Sequence, residues 1–527
     1  MPRKDSVERL AALKAEKARM GGTERVARQR SRGKLDARAR LELLFDPGSV
    51  QELGMLAAAE GRLPEEEDPA RPSAADGVLT AFGTVDGRPV AAAVYDFTVL
   101  GGSIGEVGER KVSRLRELAL RARTPLVWLV DSGGARLEAG GDVDPRRLAG
   151  FADTGYLFRE QSVLSGVVPQ VAAMLGPGAA GTAYIPGLAD YVPMVAGVGS
   201  IAVGGPALVE STVGEQVTEQ ELGGSKLHNE VSGVADGEFP DDAACIAAVR
   251  TYLGFFPAHC QERPPRRTSG DSPDRREESL LTVVPENPRQ AFDMHRVITA
   301  LVDEGKFFEL KPRFAKNLLT GLCRIDGWSV GIVASNSMHL GGVLDVAASD
   351  KGARFVALCD AFRIPLLFLQ DVPGFLVGTK AEQSGLVRHG ARMMQLVASA
   401  TVPKLTVVVR KGFGAGYYVM NGRAFEPDLL LAWPGAEIGI MGAEGLVAIA
   451  ARKALESAES PEAAKALKEQ LAAGLKPHVR VERTAALAMV DDVIDPRDTR
   501  RALALALART QGKVVERPWR RREVPPF

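Results

Sequence analysis

Apolar and polar positions along the chain fall into two runs of the same elements. Near the N-terminus, Leu10, Leu13 and the stretch LDARARLELLF place apolar residues at helical spacing among many charges, which predicts helix over residues 1 to about 45. Such a charged helix reads as a solvated or packing arm. Further on, Asp86-Gly87 and Asp326-Gly327 each sit between apolar runs and signal hairpins. Each hairpin is followed by a helical stretch, GEVGERKVSRLRELALRA or DKGARFVALCDAFR. A short apolar run comes next, PLVWLV or PLLFLQ, of the buried-strand type, and stops at Asp131 or Asp371. A second apolar run, VPQVAAML or PKLTVVV, leads into GPGAAGTAY or KGFGAGYY. Strands alternating with helices predict βαβ units.

The spacing of these landmarks points to internal duplication. Asp86 and Asp326 are 240 residues apart, and so are Gly101-Gly102 and Gly341-Gly342, Pro125 and Pro365, and Asp131 and Asp371. The register then slips: Ala180-Gly181 matches Ala415-Gly416 at 235, and SIAVGGPALV matches EIGIMGAEGL at 237. The reading is a helical arm over residues 1–50, a first domain over 51–260 and a second over 280–527. Residues 261–279, QERPPRRTSGDSPDRREES, link them, because Pro, Ser and charge dominate there. EEEDPARPSAADG (65–77) is a polar loop within the first domain.

Composition narrows the class without naming it. Hydrophobic residues make up 45% and charged residues 25%, as in soluble globular proteins. The 66 basic residues balance 66 acidic ones, which argues against a nucleic-acid partner and leaves room for a local anion site. The four cysteines, Cys245, Cys260, Cys323 and Cys359, form no CxxC pair, so no metal site is expected and a reduced cytoplasmic location is. The N-terminal stretch has no apolar core, so no secretory signal is expected. No run reaches about 18 apolar residues, so no membrane span is expected either.

The chemistry lies in the two small-residue loops, GPGAAG (176–181) and GFGAG (412–416). Small residues let backbone approach a ligand closely, and amides at a helix start lack partners and favour negative charge. Such loops suit an enolate oxygen derived from a thioester; read singly, each is equally a tight turn. GPGAAG also matches GxGxxG, but no acidic residue stands about 20 positions on, and Tyr417 occupies the third glycine position in the sister loop. No Walker lysine pattern is present. GGSIG (101–105) matches the GxSxG nucleophile elbow, yet its twin begins Gly341-Gly342-Val343, so a glycine turn is the better reading. Of the six histidines, none lies in HExxH, and only His389 in LVRHGARMM reads as a site neighbour.

Taken together, GGSIGEVGERK, DSGGAR, GPGAAGTAY, ELGGSKLHNEVSGVA, FDMHRVI, DVPGFLVG, RHGARMM, KGFGAGYYVM and WPGAEIGIMGAEG resemble the β subunits of acyl-CoA carboxylases, nearest the propionyl-CoA carboxylase branch. The resemblance runs from RGKLDARARLELLFDPGS (32–49) to the C-terminal VPPF. It implies an α/β protein of two tandem crotonase-like domains of the ββα superhelix type. It implies transfer of a carboxyl group from carboxybiotin to the α-carbon, or a vinylogous carbon, of an acyl-CoA. Amides of Ala180 and Gly181 would hold the thioester oxygen, and those of Ala415 and Gly416 the ureido oxygen of biotin. Gly133, Gly134 and Arg136 would lie on the coenzyme A side, with Pro373, Gly374, Phe375 and Tyr417 around biotin. Tyr418 would help select the acyl group.

The chain departs from the family pattern in three places. Ala180 stands where the family usually has glycine, Tyr418 where Asp is common, and FLVGTKAEQSG (375–385) replaces a segment with an acidic pair. No biotinyl-lysine motif or ATP-grasp segment is found. The resemblance therefore implies a partner α subunit carrying biotin carboxylase and the biotin carrier, and a homo-hexamer of this chain. A biotin-dependent acyl-CoA decarboxylase subunit, a biotin-free hydratase or isomerase, and a non-catalytic assembly subunit remain open alternatives.

Overall fold

The structure, a computed structural model, describes residues 3–68, 70–136, 138, 139, 142, 143, 155–516, 524 and 526. It divides into two compact units, Met1–Arg263 and Pro264–Phe527. The division falls inside the stretch expected to link two domains.

The first unit carries β1 (Gln51–Leu53), β2 (Val78–Val85), β3 (Arg88–Tyr95), β4 (Leu126–Ser132), β5 (Gln170–Ala179), β6 (Pro193–Val195), β7 (Ser200–Ala202) and β8 (Gly237–Phe239). They form one eight-stranded sheet in the order β1-β2-β3-β4-β5-β6-β8, with β7 paired to β5. The second unit carries β9 (Phe307–Leu310), β10 (Leu318–Ile325), β11 (Trp328–Ser335), β12 (Leu366–Val372), β13 (Lys404–Phe413), β14 (Leu429–Ala432), β15 (Glu437–Gly439) and β16 (Asp492–Val493). Its sheet has the same plan, β9-β10-β11-β12-β13-β14-β16 with β15 on β13. In both sheets the first two pairings are antiparallel and the rest parallel.

The DG dipeptides behave as their sequence predicts. Asp86 and Asp326 have φ 50, Gly87 and Gly327 have φ 75, so both central residues of each hairpin are left-handed. A distant carboxylate holds each turn. Asp46 accepts the Gly87 N–H at 2.8 Å, and Asp303 accepts that of Gly327 at 2.8 Å. Strands β4 and β12 are buried along their whole length, which explains their unbroken apolar runs. Trp128, Leu126 and Val130 sit in one core; Leu367, Leu369, Val407 and Trp433 sit in the other.

Register corrects one part of the duplication. Ser132 pairs with Gly178 after a shift in the first sheet, and Val372 pairs with Gly412 after the same shift in the second. The connection from β12 to β13 is six residues shorter than that from β4 to β5. The true offset at the loops is therefore 234, not 235: Ala180 corresponds to Gly414 and Gly181 to Ala415. The Ala-Gly letters match one residue away from where hydrogen bonding places the chain.

The flanking segments gain detail. The helix Arg3–Lys17 is mostly exposed, but Thr23–Ser31 and Ala37–Leu44 belong to the first unit, with Arg40, Leu41 and Leu44 buried. The linker stretch is fixed by polar contacts where apolar anchors are lacking. Arg267 N–H donates to Gly327 O at 3.0 Å, the Arg266 guanidinium meets Asp326 at 2.7 Å, and Arg500 donates to Ser272 O at 2.9 Å.

Candidate active site

Each unit brings two loops together at the carboxyl ends of its central parallel strands. In the first, β5 ends at the extended residue Ala179, Ala180 turns left-handed at φ 52, and a helical turn spans Ala180–Ala183 before the helix Tyr184–Leu188. Amides of a first helical turn have no acceptor within the helix. The second loop leaves β4 as Gly133–Arg136. Gly133 N–H donates to Gly101 O at 2.9 Å, Ile104 N–H to Gly134 O at 2.8 Å, and Arg136 N–H to Ile104 O at 3.0 Å. Gly134 is buried at φ 89, and a side-chain carbon there would lie 2.8 Å from Ala179 O, so only glycine fits.

The second unit repeats the arrangement. Gly414 is left-handed at φ 55 and opens the helix Gly414–Val419. Leu344 N–H donates to Gly374 O at 3.0 Å and Leu376 N–H to Leu344 O at 2.8 Å. A carbon on Gly416 would stand 2.8 Å from Val372 Cγ2 and 3.0 Å from Gly374 Cα, so Gly416 marks the close crossing of the two loops. The Phe375 ring covers Gly390 of the helix Leu386–Ser399.

Several expected site residues turn out to be engaged elsewhere. The Arg136 guanidinium is ion-paired to Asp76, and it also binds Ser103 Oγ at 3.0 Å and Ser103 O at 2.8 Å. Its charge is therefore committed within the protein. Ser103 Oγ donates to Leu100 O at 2.7 Å, which disposes of the nucleophile-elbow match. Tyr417 is 8% exposed in a hydrophobic cluster; its hydroxyl accepts from Arg423 N–H at 3.0 Å, and burial raises its pKa. Its side chain packs the core below the loop. Tyr418 is 45% exposed, its ring edge-on to Tyr417 and 6.3 Å from Phe425. His389 Nδ1 lies 2.8 Å from Asp350, on the helix that Phe375 covers.

Long-range contacts beneath the loops escaped the sequence reading. Asp131, at the end of β4, is held by Lys34 at 2.6 Å and Arg40 at 2.9 Å, both from the N-terminal helical segment. Asp371, at the end of β12, pairs with Arg410 of β13 at 2.6 Å. Lys111 and Lys351, which are 240 residues apart, each reach into turn carbonyls: Ala75 O at 3.0 Å and Val78 O at 2.6 Å, and Lys311 O and Phe314 O at 2.9 Å. Burial pushes the Lys111 ammonium down to about 8. The repeated spacing was the available signal for this pair. Among the described residues no cluster of three or more His, Cys, Asp or Glu is arranged to hold a metal, and no helix is long and apolar enough to cross a membrane.

The duplicated α/β unit, with loops at its strand ends whose first-turn amides have no acceptor within the helix, is that of a two-domain carboxyltransferase of crotonase fold. The chain belongs to the carboxyl transferase domain family, which matches residues 28–525. It is 41% identical to the propionyl-CoA carboxylase beta chain of Roseobacter denitrificans, over 99% of this chain and all of that one. It is 40% identical to the methylmalonyl-CoA decarboxylase subunit alpha of Veillonella parvula, over 96% and 95% of the two chains. Among solved structures it matches the transcarboxylase 12S hexamer, crystallised with methylmalonyl-coenzyme A and methylmalonic acid bound, with a TM-score of 0.91 and 38% identity over 99% and 98% of the chains.

Proposed function

We propose that this chain is the carboxyltransferase subunit of a biotin-dependent acyl-CoA carboxylase, moving a carboxyl group to the α-carbon of a short acyl-CoA. The observation that carries this reading is the pair of left-handed loop entries, Ala180 and Gly414, at matched places in the duplicated units. Space for ligands is compatible with it. Among the described residues, a carbon built on Gly181 would meet only Ile104 Cδ1, at 3.9 Å, and one on Gly374 would meet nothing within 4 Å.

In this reading the amides of Ala180 and Gly181 receive the thioester oxygen as it gains charge, while Gly133 and Gly134 form the adjoining wall. The amides of Gly414 and Ala415, the register matches of Ala180 and Gly181, would receive the ureido oxygen, with Pro373, Gly374 and Phe375 beside it. The carboxyl group would be supplied by biotin borne on a partner. Arg136 positions the 103–105 segment through Ser103, and Tyr418 is the residue proposed to select among acyl groups. Preorganised donors of this kind contribute about 3–4 kcal/mol each to lowering the barrier. The partner is an α subunit with biotin carboxylase and biotin-carrier functions, the assembly is a homo-hexamer, and the compartment is the cytoplasm.

The test is fixation of labelled bicarbonate by the chain with its partner and ATP, across short, branched and unsaturated acyl-CoAs. Fixation on at least one acyl-CoA is expected, and none on any would defeat the reading. The likeness to the Veillonella decarboxylase subunit favours a second reading, in which the same loops run the reverse flux. ATP-independent release of carbon dioxide from methylmalonyl-CoA by the native complex would decide for it.

A further inference from the structure

We propose that the methyl group of Ala180 is a size filter for the acyl group, a specificity-determining atom that the second unit lacks; this rests on the first loop being the acyl-thioester site. Ala180 adopts φ 52, a conformation in which a Cβ is strained, while its twin Gly414 adopts φ 55 without that strain. A glycine would satisfy the turn, so the methyl is retained against a local steric penalty.

Its position gives it something to do. A side-chain carbon built on buried Gly134 would lie 3.5 Å from Ala180 Cβ, so the methyl points across the gap between the two loops. Gly133 and Gly181 flank that gap, and carbons built on them would meet only Gly101 O at 3.4 Å and Ile104 Cδ1 at 3.9 Å. A thioester oxygen held by Gly181 N–H would bring its α-carbon substituent toward this methyl. The corresponding crossing in the second unit is built from Gly414, Gly416 and Gly374. There the glycines mark close approaches of backbone, a carbon on Gly414 falling 3.1 Å from Ile440 O, so that crossing has no room for the methyl that the first loop carries. Discrimination by one methyl or methylene in an apolar pocket is typically about 10- to 200-fold.

The experiment compares kcat/KM for acetyl-, propionyl-, butyryl- and hexanoyl-CoA in the native complex and in Ala180→Gly, with Tm read on both. The filter predicts that the hexanoyl-to-acetyl ratio rises by about tenfold in the variant, with no fall in Tm because strain is relieved. An unchanged ratio in folded, active protein overturns the filter while leaving the first loop's assignment standing. Gly181→Pro tests that assignment separately, because it removes a donor and should lower turnover on every acyl-CoA alike, by about 10²-fold or more. A ratio that moves in favour of the shorter acyl groups also overturns the filter.

Discussion

The two units solve one electrostatic problem in different ways. Each buries an aspartate at the end of a central strand, Asp131 in the first and Asp371 in the second. In the second unit the neighbouring strand supplies Arg410, which grips Asp371 with two nitrogens at 2.9 and 2.6 Å. The first unit has Gly176 at the equivalent place, where any side-chain carbon would fall 1.9 Å from Asp131 Oδ1. Its cations come instead from Lys34 and from the fully buried Arg40, which also binds Asp242 at 2.7 Å and Leu175 O at 3.0 Å. A fold copied within one chain can thus keep a buried charge while moving its partner from the next strand to a segment some 90 residues away. In the first unit, neutralising the aspartate also fastens the helical arm.

The largest expected effect follows from that difference. Removing one partner of a buried ion pair costs about 3–5 kcal/mol. Arg40→Ala and Arg410→Ala should each destabilise by that order in urea titrations. Limited proteolysis should then cut residues 19–36 far faster in the Arg40 variant alone. Equal cutting in both would dissolve the contrast between a tethered and a self-contained unit.

Gly181→Pro and Ala415→Pro remove register-matched donors and should each lower turnover by about 10²-fold or more in folded protein. Wild-type turnover in either would remove that loop from the chemistry. A smaller effect is expected from Tyr418→Asp, which should shift preference among acyl-CoAs by about tenfold, read as a ratio of kcat/KM values. An unaltered profile would place Tyr418 outside the acyl site.

The units should also differ in pH response, as the smallest effect. Burial lowers the pKa of His228 in the first unit, so the folded state resists a proton that the unfolded chain accepts. That unit loses stability as pH falls below 6.5, and His228→Gln should blunt the loss. In the second unit, hydrogen bonding to Glu309 raises His295 to about 9, with Asp293 adding to it. This stability is fully present below 6.5 and disappears as pH rises through about 9, and His295→Gln should remove that decline. Thermal melts from pH 5 to 10 that show the same slope for both variants would contradict the assignment.

Much of this fold was legible because its signals are local. The DG turns, the buried runs ending at Asp131 and Asp371, and the 240-residue spacing all report backbone chemistry written in a few adjacent residues. What was hidden depends on distant partners. Nothing around Arg40 says that it reaches Asp131, and nothing around Arg136 says that Asp76 absorbs its charge. Tyr417 follows a glycine loop as a ligand residue would, yet helix geometry turns its ring into the core. The loop match failed by one residue because the letters Ala-Gly recur at 235 while strand pairing sets the offset at 234. The left-handed state of Ala180 had no signal in an alanine at all; only its twin Gly414 suggests it afterwards.

The central claim is that the first loop receives the acyl thioester and the second receives biotin, both through backbone amides. Amide hydrogen exchange on the assembled protein reads those donors directly. Methylmalonyl-CoA should slow exchange at residues 180–182 and leave 414–416 unchanged, and free biotin should do the reverse. Protection at the opposite loop, or at neither, would contradict the account.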